Sequence, residues 1–163
     1  VFSFTVDCEI VPDRWHTTRS AVRSRGDLAG MAEGYPLRIL VAEDNPSNQK
    51  VMVEMLKKMG YRPDAVADGR EVIDLLERRP YDVVFMDVRM PDMDGLQATK
   101  EIRRRWPVNG PKIIATTAYA LPGDREKCLR AGMDDYLSKP VQKGEIARIL
   151  KRHGRTRGDA AKL

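Results

Sequence analysis

Four places in this 163-residue chain put a group capable of chemistry at the end of a short apolar run. Tyr81-Asp82-Val83-Val84-Phe85-Met86 leads into Asp87, after which Val88-Arg89-Met90-Pro91-Asp92-Met93-Asp94-Gly95 breaks the pattern. Leu37 to Val41, interrupted only by Arg38, runs into Glu43-Asp44. Lys112 to Thr117 ends in two threonines, and Asp135 to Leu137 is followed by Ser138-Lys139-Pro140. Runs this short, rich in β-branched and aromatic residues, read as strands buried on both faces. An acid, a pair of acids, a hydroxyl and an ammonium then stand at strand carboxyl ends, where open α/β sheets keep their binding crevice. Asp87 alone could merely start a turn; matching chemistry at the other strand ends weighs against that.

If the strand order is 2-1-3-4-5, the first and third strands are neighbours at the switch point of the sheet. Adjacent strands lie about 4.8 Å apart, so Glu43, Asp44 and Asp87 share one pocket. The fifth strand is about 10 Å away, a gap the long Lys139 side chain can largely cross. Three close carboxylates repel and raise each other's pKa unless a cation sits among them. An all-oxygen site with waters suits Mg²⁺, and no His or Cys stands near enough to favour zinc. A Thr hydroxyl and a Lys ammonium opposite the metal make a receptor for a tetrahedral dianion. Together these groups suit in-line transfer of a phosphoryl group onto Asp87, where catalysis is mostly positioning and charge neutralisation.

The intervening segments supply the helices that hold such a sheet. Asn45-Pro46 offers an N-cap and a first-turn proline to a helix with Val51, Met52, Met55, Leu56 and Met59 inward, stopped by Gly60. Asp64 to Ala67 is a short strand, with Pro63 marking its start or an edge. Asp68-Gly69 opens a helix with Val72, Ile73, Leu75 and Leu76 inward, ended by Arg79-Pro80. Further helices run from about Leu96 to Trp106, from about Asp124 to Ala131-Gly132, and from about Gly144 to Arg152. Five strands alternating with five helices through short connections mean a parallel sheet covered on both faces.

On these motifs the chain from Leu37 to about Arg152 resembles a receiver domain of two-component signalling. They are Val-Ala-Glu43-Asp44-Asn-Pro, Met-Asp87-Val-Arg-Met-Pro-Asp-Met-Asp-Gly, Ala-Thr-Thr117-Ala and Asp-Asp-Tyr136-Leu-Ser-Lys139-Pro140. Each alone is weak; all four in this order and spacing are specific. The resemblance implies an α/β, flavodoxin-like, doubly wound five-stranded parallel sheet of order 2-1-3-4-5 with five helices. It implies that Asp87 takes phosphate from a phosphohistidine on a sensor histidine kinase or a histidine phosphotransfer protein. Asp44 and Asp87 would bind Mg²⁺ directly with the backbone carbonyl of Arg89, and Glu43 would hold it through water. Thr117 and Lys139 would bind the phosphoryl oxygens. Tyr136 would be an aromatic switch, turning inward as Thr117 moves toward the phosphate, and the Lys139–Pro140 bond would be cis. Strand alternation puts only one of Thr116 and Thr117 over the site, and Thr117, before small Ala118, fits the motif better. Arg89, two residues past Asp87, is expected to alter the phosphoryl lifetime.

Composition narrows the rest. A content of 42% hydrophobic and 33% charged residues is that of a soluble globular protein. No apolar run approaches the roughly 20 residues of a membrane span, and no secretory signal is visible, so a cytoplasmic location is expected. Cys8 and Cys128 read as unpaired fillers. The net charge of +5 collects in the flanks, at Arg14, Arg19, Arg23, Arg25, Lys151, Arg152, Arg155, Arg157 and Lys162. No nucleic-acid motif accompanies it, so direct nucleic-acid binding is not expected. Met86, Met90 and Met93 read as packing rather than ligands, and His16 and His153, in unpatterned flanks, are not expected to be phosphodonors. Asp92 and Asp94 are expected to shape the loop, with Gly95 supplying its turn.

The expected organisation is an extension over 1–34, a receiver domain over 35–152 and a flexible basic tail over 153–163. Val1 to Val6 looks like the last strand of a sensor kinase ATPase domain, which with Val1 in place of Met makes the chain the C-terminal receiver of a hybrid histidine kinase. The alternative is a stand-alone single-domain response regulator. Signalling output is expected through the fourth helix, fifth strand and fifth helix, a face that would also serve a homodimer. A Mg²⁺-dependent phosphohydrolase with an Asp nucleophile needs a second acid two residues on, where this chain has Arg89. A partner-binding domain that has lost phosphoacceptance would lack an acid or the Lys, and this chain keeps both.

Overall fold

The computed structural model describes residues 28–118 and 122–154. Five parallel strands form one sheet in the order β2-β1-β3-β4-β5: β1 Ile39–Ala42, β2 Asp64–Val66, β3 Val83–Asp87, β4 Lys112–Thr117 and β5 Asp135–Ser138. Six helices surround it among the described residues: α1 Met31–Gly34, α2 Pro46–Lys57, α3 Gly69–Arg78, α4 Gly95–Arg105, α5 Pro122–Ala131 and α6 Lys143–His153. The five expected helices are all present, and the sixth, α1, is a single turn in the segment read as linker. One turn is too short to show a 3.6-residue period. It forms because Met31 is buried and the Ala32 N–H donates to the Met59 carbonyl at 3.2 Å. The alternating Val1 to Val6 run and the basic residues from Arg155 on lie outside the described residues.

β1 and β3 are buried at every position, as strands with helices on both faces must be. Alternation along them divides the core into two layers. Leu40, Ala42, Val84, Met86, Ile113 and Ala115 face α3, α4 and α5. Ile39, Val41, Val83, Phe85 and Ile114 face α1, α2 and α6. Met86 and Met90 are packed into the first layer, with Met93 against its edge, and Cys128 is buried there. Met52 and Leu56 of α2, and Met59 just past its end, are buried as expected. Val51 is not; it is 52% exposed and lines a cavity beside Lys139 and Val141.

Polar ties fix the strand beginnings. Arg103 on α4 donates to the carbonyls of Gly132 and Pro111 and to Asp134 at 2.6 Å, and Asp134 also takes Lys112 and the Ile113 N–H, both at 2.8 Å. Burial works to raise the Asp134 pKa, but Lys112, the Ile113 N–H and Arg103 outweigh it and hold the carboxyl below its usual range. A depressed folded pKa means stability that is present above about pH 4 and lost as pH falls through the folded value. Asp134→Asn is therefore expected to lower stability by about 1–3 kcal/mol at pH 7. The gap should narrow steadily below about pH 4, as urea titrations at pH 7 and in acid will show.

His153 is the last residue of α6, with Nε2 3.2 Å from Asp135 Oδ2, which also takes Arg152 at 3.0 Å. The histidine read as part of an unpatterned flank instead ties the end of α6 to the start of β5.

Candidate functional site

The register of the sheet brings the strand ends together. Ala42 of β1 is beside Met86 of β3, and Asp87 is beside Thr116 of β4, so Glu43, Asp44 and Asp87 emerge at one edge. One carboxylate oxygen from each lies within 4.8 Å of one from each of the others, with Glu43 and Asp87 buried and Asp44 exposed. Lys139, carried past the end of β5, reaches right across. Its Nζ is 2.6 Å from Asp87 Oδ2 and 2.7 Å from Glu43 Oε2. Burial disfavours the ammonium, but hydrogen bonds and charge from Asp87 and then Glu43 overcome that and raise the Lys139 pKa.

The first turn of α2 completes the Glu43 side. Asn45 caps the helix, accepting the N–H groups of Ser47 and Asn48 at 3.0 and 3.2 Å. Asn48 Nδ2 then donates to Glu43 Oε1 at 3.0 Å, and Gln49 Nε2 donates to the carbonyls of Glu43 and Val66 at 3.1 and 2.9 Å. Sequence reading passed over Asn48 and Gln49. The signal was available, because an N-cap at Asn45 turns positions three and four later back toward the preceding strand end.

Asp87 Oδ1 accepts the Arg89 N–H at 3.2 Å, and the loop beyond is shaped by two aspartates. Asp92 takes a positive φ of 59°, a conformation Asp tolerates better than most residues. Asp94 caps α4 in a reciprocal arrangement with Gln97. Gly95 does not supply the turn, contrary to expectation; it is the first residue of α4, and its φ is not positive. It is needed because a Cβ there would collide with the Asp87 carbonyl oxygen and come within 2.9 Å of Met86. Gly95→Ala is therefore expected to cost about 3 kcal/mol of stability, as overpacking against rigid backbone does. A urea midpoint equal to that of the parent would show that α4 can move off β3 freely.

The two threonines part as alternation requires. Thr116 is buried and lines the cavity of about 300 Å³ between α2 and the segment that follows β5, with Val41, Phe85 and Pro140. Thr117 is half-buried at the end of β4, and its carbonyl accepts the Lys139 N–H at 2.7 Å. The Lys139–Pro140 peptide bond is cis. Tyr136 lies beside Ala115 in the sheet, half-buried against the α3–α4–α5 layer, with the Arg125 guanidinium 5.4 Å from its ring centre. The arrangement offers a carboxylate nucleophile among all-oxygen donors suited to a hard cation, beside an ammonium that can hold an anion.

Comparison with known proteins agrees with this geometry. The response regulator receiver domain family matches residues 39–151. Hybrid signal transduction histidine kinase H of Dictyostelium discoideum is 47% identical over 122 residues, which are 72% of this chain but 9% of that kinase. The chain thus spans a small part of such a relative. The receiver domain of sensor histidine kinase PA1611 from Pseudomonas aeruginosa, with a magnesium ion coordinated in its active site cleft, is 51% identical over 72% of this chain and 96% of that one, with a TM-score of 0.66. The receiver domain of Saccharomyces cerevisiae Ssk1 was solved with the histidine phosphotransfer protein Ypd1. The match to that complex has a TM-score of 0.71 and 26% identity, over 74% of this chain and 90% of that one. With a parallel sheet of order 2-1-3-4-5, an acid cluster at its carboxyl edge and these matches, the chain belongs to the response regulator receiver domain family.

Proposed function

We propose that Asp87 accepts a phosphoryl group from a phosphohistidine, with Mg²⁺ as cofactor, and that the chain serves as the receiver of a hybrid histidine kinase phosphorelay. The observation that carries this reading is the convergence of Glu43, Asp44 and Asp87 within 4.8 Å, with Lys139 on two of them. In the transfer an Asp87 carboxylate oxygen forms the new O–P bond while the donor's N–P bond breaks. The electron pair returns to the imidazole nitrogen, which takes a proton from solvent.

Asp44, Asp87 and the backbone carbonyl of Arg89 would hold the ion directly, and Glu43 through water. Bound there, Mg²⁺ supplies neutralisation of the charge that gathers on the transferring oxygens. Glu43 is kept in place for this by Asn48. The Thr117 hydroxyl and the Lys139 ammonium hold the phosphoryl oxygens, and Tyr136 moves inward as Thr117 closes on them. The partner is a sensor histidine kinase or a histidine phosphotransfer protein. Exposed Val51 together with Met55 and Val141 gives it an apolar seat beside Lys139.

Arg89 in place of an acid removes the proton donor that a turnover phosphohydrolase requires. Its expected role is to set the phosphoryl lifetime, by pairing with the phosphate or screening it from water. The Arg89→Ala chain should lose phosphate at a rate differing about tenfold from the parent, since a charge-assisted contact contributes roughly 1.5–3 kcal/mol. Equal rates would end that role.

The reading as a whole is tested by mixing the chain with a phosphohistidine-bearing phosphotransfer protein. The expected result is Mg²⁺-dependent movement of phosphate onto this chain, stopped by EDTA. Transfer that ignores EDTA, or no transfer from several such donors, would contradict it.

A further inference from the structure

α5 carries five charged side chains, and four of them form pairs along the helix, Asp124 with Lys127 at 3.1 Å and Glu126 with Arg130 at 2.9 Å. The fifth, Arg125, is exposed and has no acid partner among the described residues; its guanidinium lies over the face of Tyr136, 5.4 Å from the ring centre. That distance and placement are those of a cation–π contact. Tyr136 is the half-buried aromatic beside Ala115, and Thr117 stands two residues along from Ala115 on the same face of β4. Its cross-strand neighbour Ala115 offers the ring only a methyl group, and Arg125 meets the ring from α5.

We infer that Arg125 is a positioning residue that holds the Tyr136 ring in its half-exposed place and so sets how readily the domain switches. The inference rests on the function proposed above. A cation over an aromatic face at an exposed site shifts an equilibrium by about two- to fivefold. Whatever holds the ring outward must weaken phosphoryl binding at Asp87 by the same factor, because coupling between sites is reciprocal. Arg125 touches neither Asp87 nor the phosphoryl group; it acts through Tyr136.

The test uses beryllofluoride with Mg²⁺ as a phosphoryl mimic, on the full chain with ¹³C-labelled tyrosine. Arg125→Ala should bind the mimic about two- to fivefold more tightly, and the Tyr136 ring resonances should move in the unliganded protein. Arg125→Lys should fall between Arg125→Ala and the parent. With Tyr136→Leu already in place, the Arg125→Ala substitution should have no effect on affinity. Unchanged affinity in Arg125→Ala, or the same gain with Tyr136→Leu present, would overturn the inference. If no form of the chain binds the mimic, the proposed function fails instead. The resonances then decide for Arg125 alone: shifted signals support the clamp, and unmoved signals overturn it.

Discussion

Asp87→Asn is expected to abolish Mg²⁺-dependent labelling by acetyl phosphate, while leaving the domain folded with a melting temperature within a few degrees of the parent. An amide cannot form the acyl phosphate, so the loss should be complete. Stability should change little because two effects oppose. The substitution gives up the charged hydrogen bond to Lys139 at 2.6 Å, a contribution of about 1.5–3 kcal/mol. It also relieves repulsion among three carboxylates lying within 4.8 Å of one another. Asparagine keeps an oxygen for the Arg89 N–H, so the loop after β3 should stay in place. Continued labelling of Asp87→Asn would mean that phosphate goes to another acid.

Lys139→Met should produce two changes of opposite sign. The ammonium contacts Asp87 and Glu43 at 2.6 and 2.7 Å, with 19% of the side chain exposed. Phosphoryl uptake should fall about 10²–10³-fold, as it does when one preorganised donor to a developing anion is removed. Mg²⁺ affinity should instead rise about tenfold, because a cation within about 4 Å of the same carboxylates no longer opposes the ion. The full Coulomb figure at that distance is larger, but solvent at the site screens it. Calorimetric Mg²⁺ titration and acetyl phosphate labelling of the same preparation separate the two. If both fall together, Lys139 is holding the fold of the site rather than the phosphoryl group.

The sheet was legible because its central strands β1 and β3 are buried at every position and β1, β3 and β4 end abruptly in polar residues. Val83 to Met86 gives way to Asp87 in one step, and Lys112 to Thr117 matches β4 residue for residue. The strand order 2-1-3-4-5 is what the family resemblance implies, and the meeting of Glu43, Asp44 and Asp87 is its consequence: with the first and third strands adjacent, their carboxyl ends share one edge. What escaped depends on contacts between segments far apart in the chain. α1 exists because Met31 finds the core and Ala32 finds Met59, neither of which a local pattern records. Arg103 looks like any surface arginine until its carbonyl partners at Gly132 and Pro111 are in place, 29 and 8 residues away. Val51 has the right spacing for the core but stands where α2 passes the end of the sheet, with a cavity in front of it. Gly95 was noticed for the right position and the wrong reason, because close approach of α4 to the Asp87 carbonyl leaves no mark in sequence that differs from a turn.

One particular carboxylate, that of Asp87, is expected to become an acyl phosphate. Treatment with acetyl phosphate and Mg²⁺, followed by borohydride reduction and peptide mass spectrometry, converts a phosphorylated aspartate to homoserine and so marks its position. Homoserine is expected at position 87, absent when EDTA replaces the metal. Homoserine at position 44, 92 or 94 instead, or at none, would contradict it.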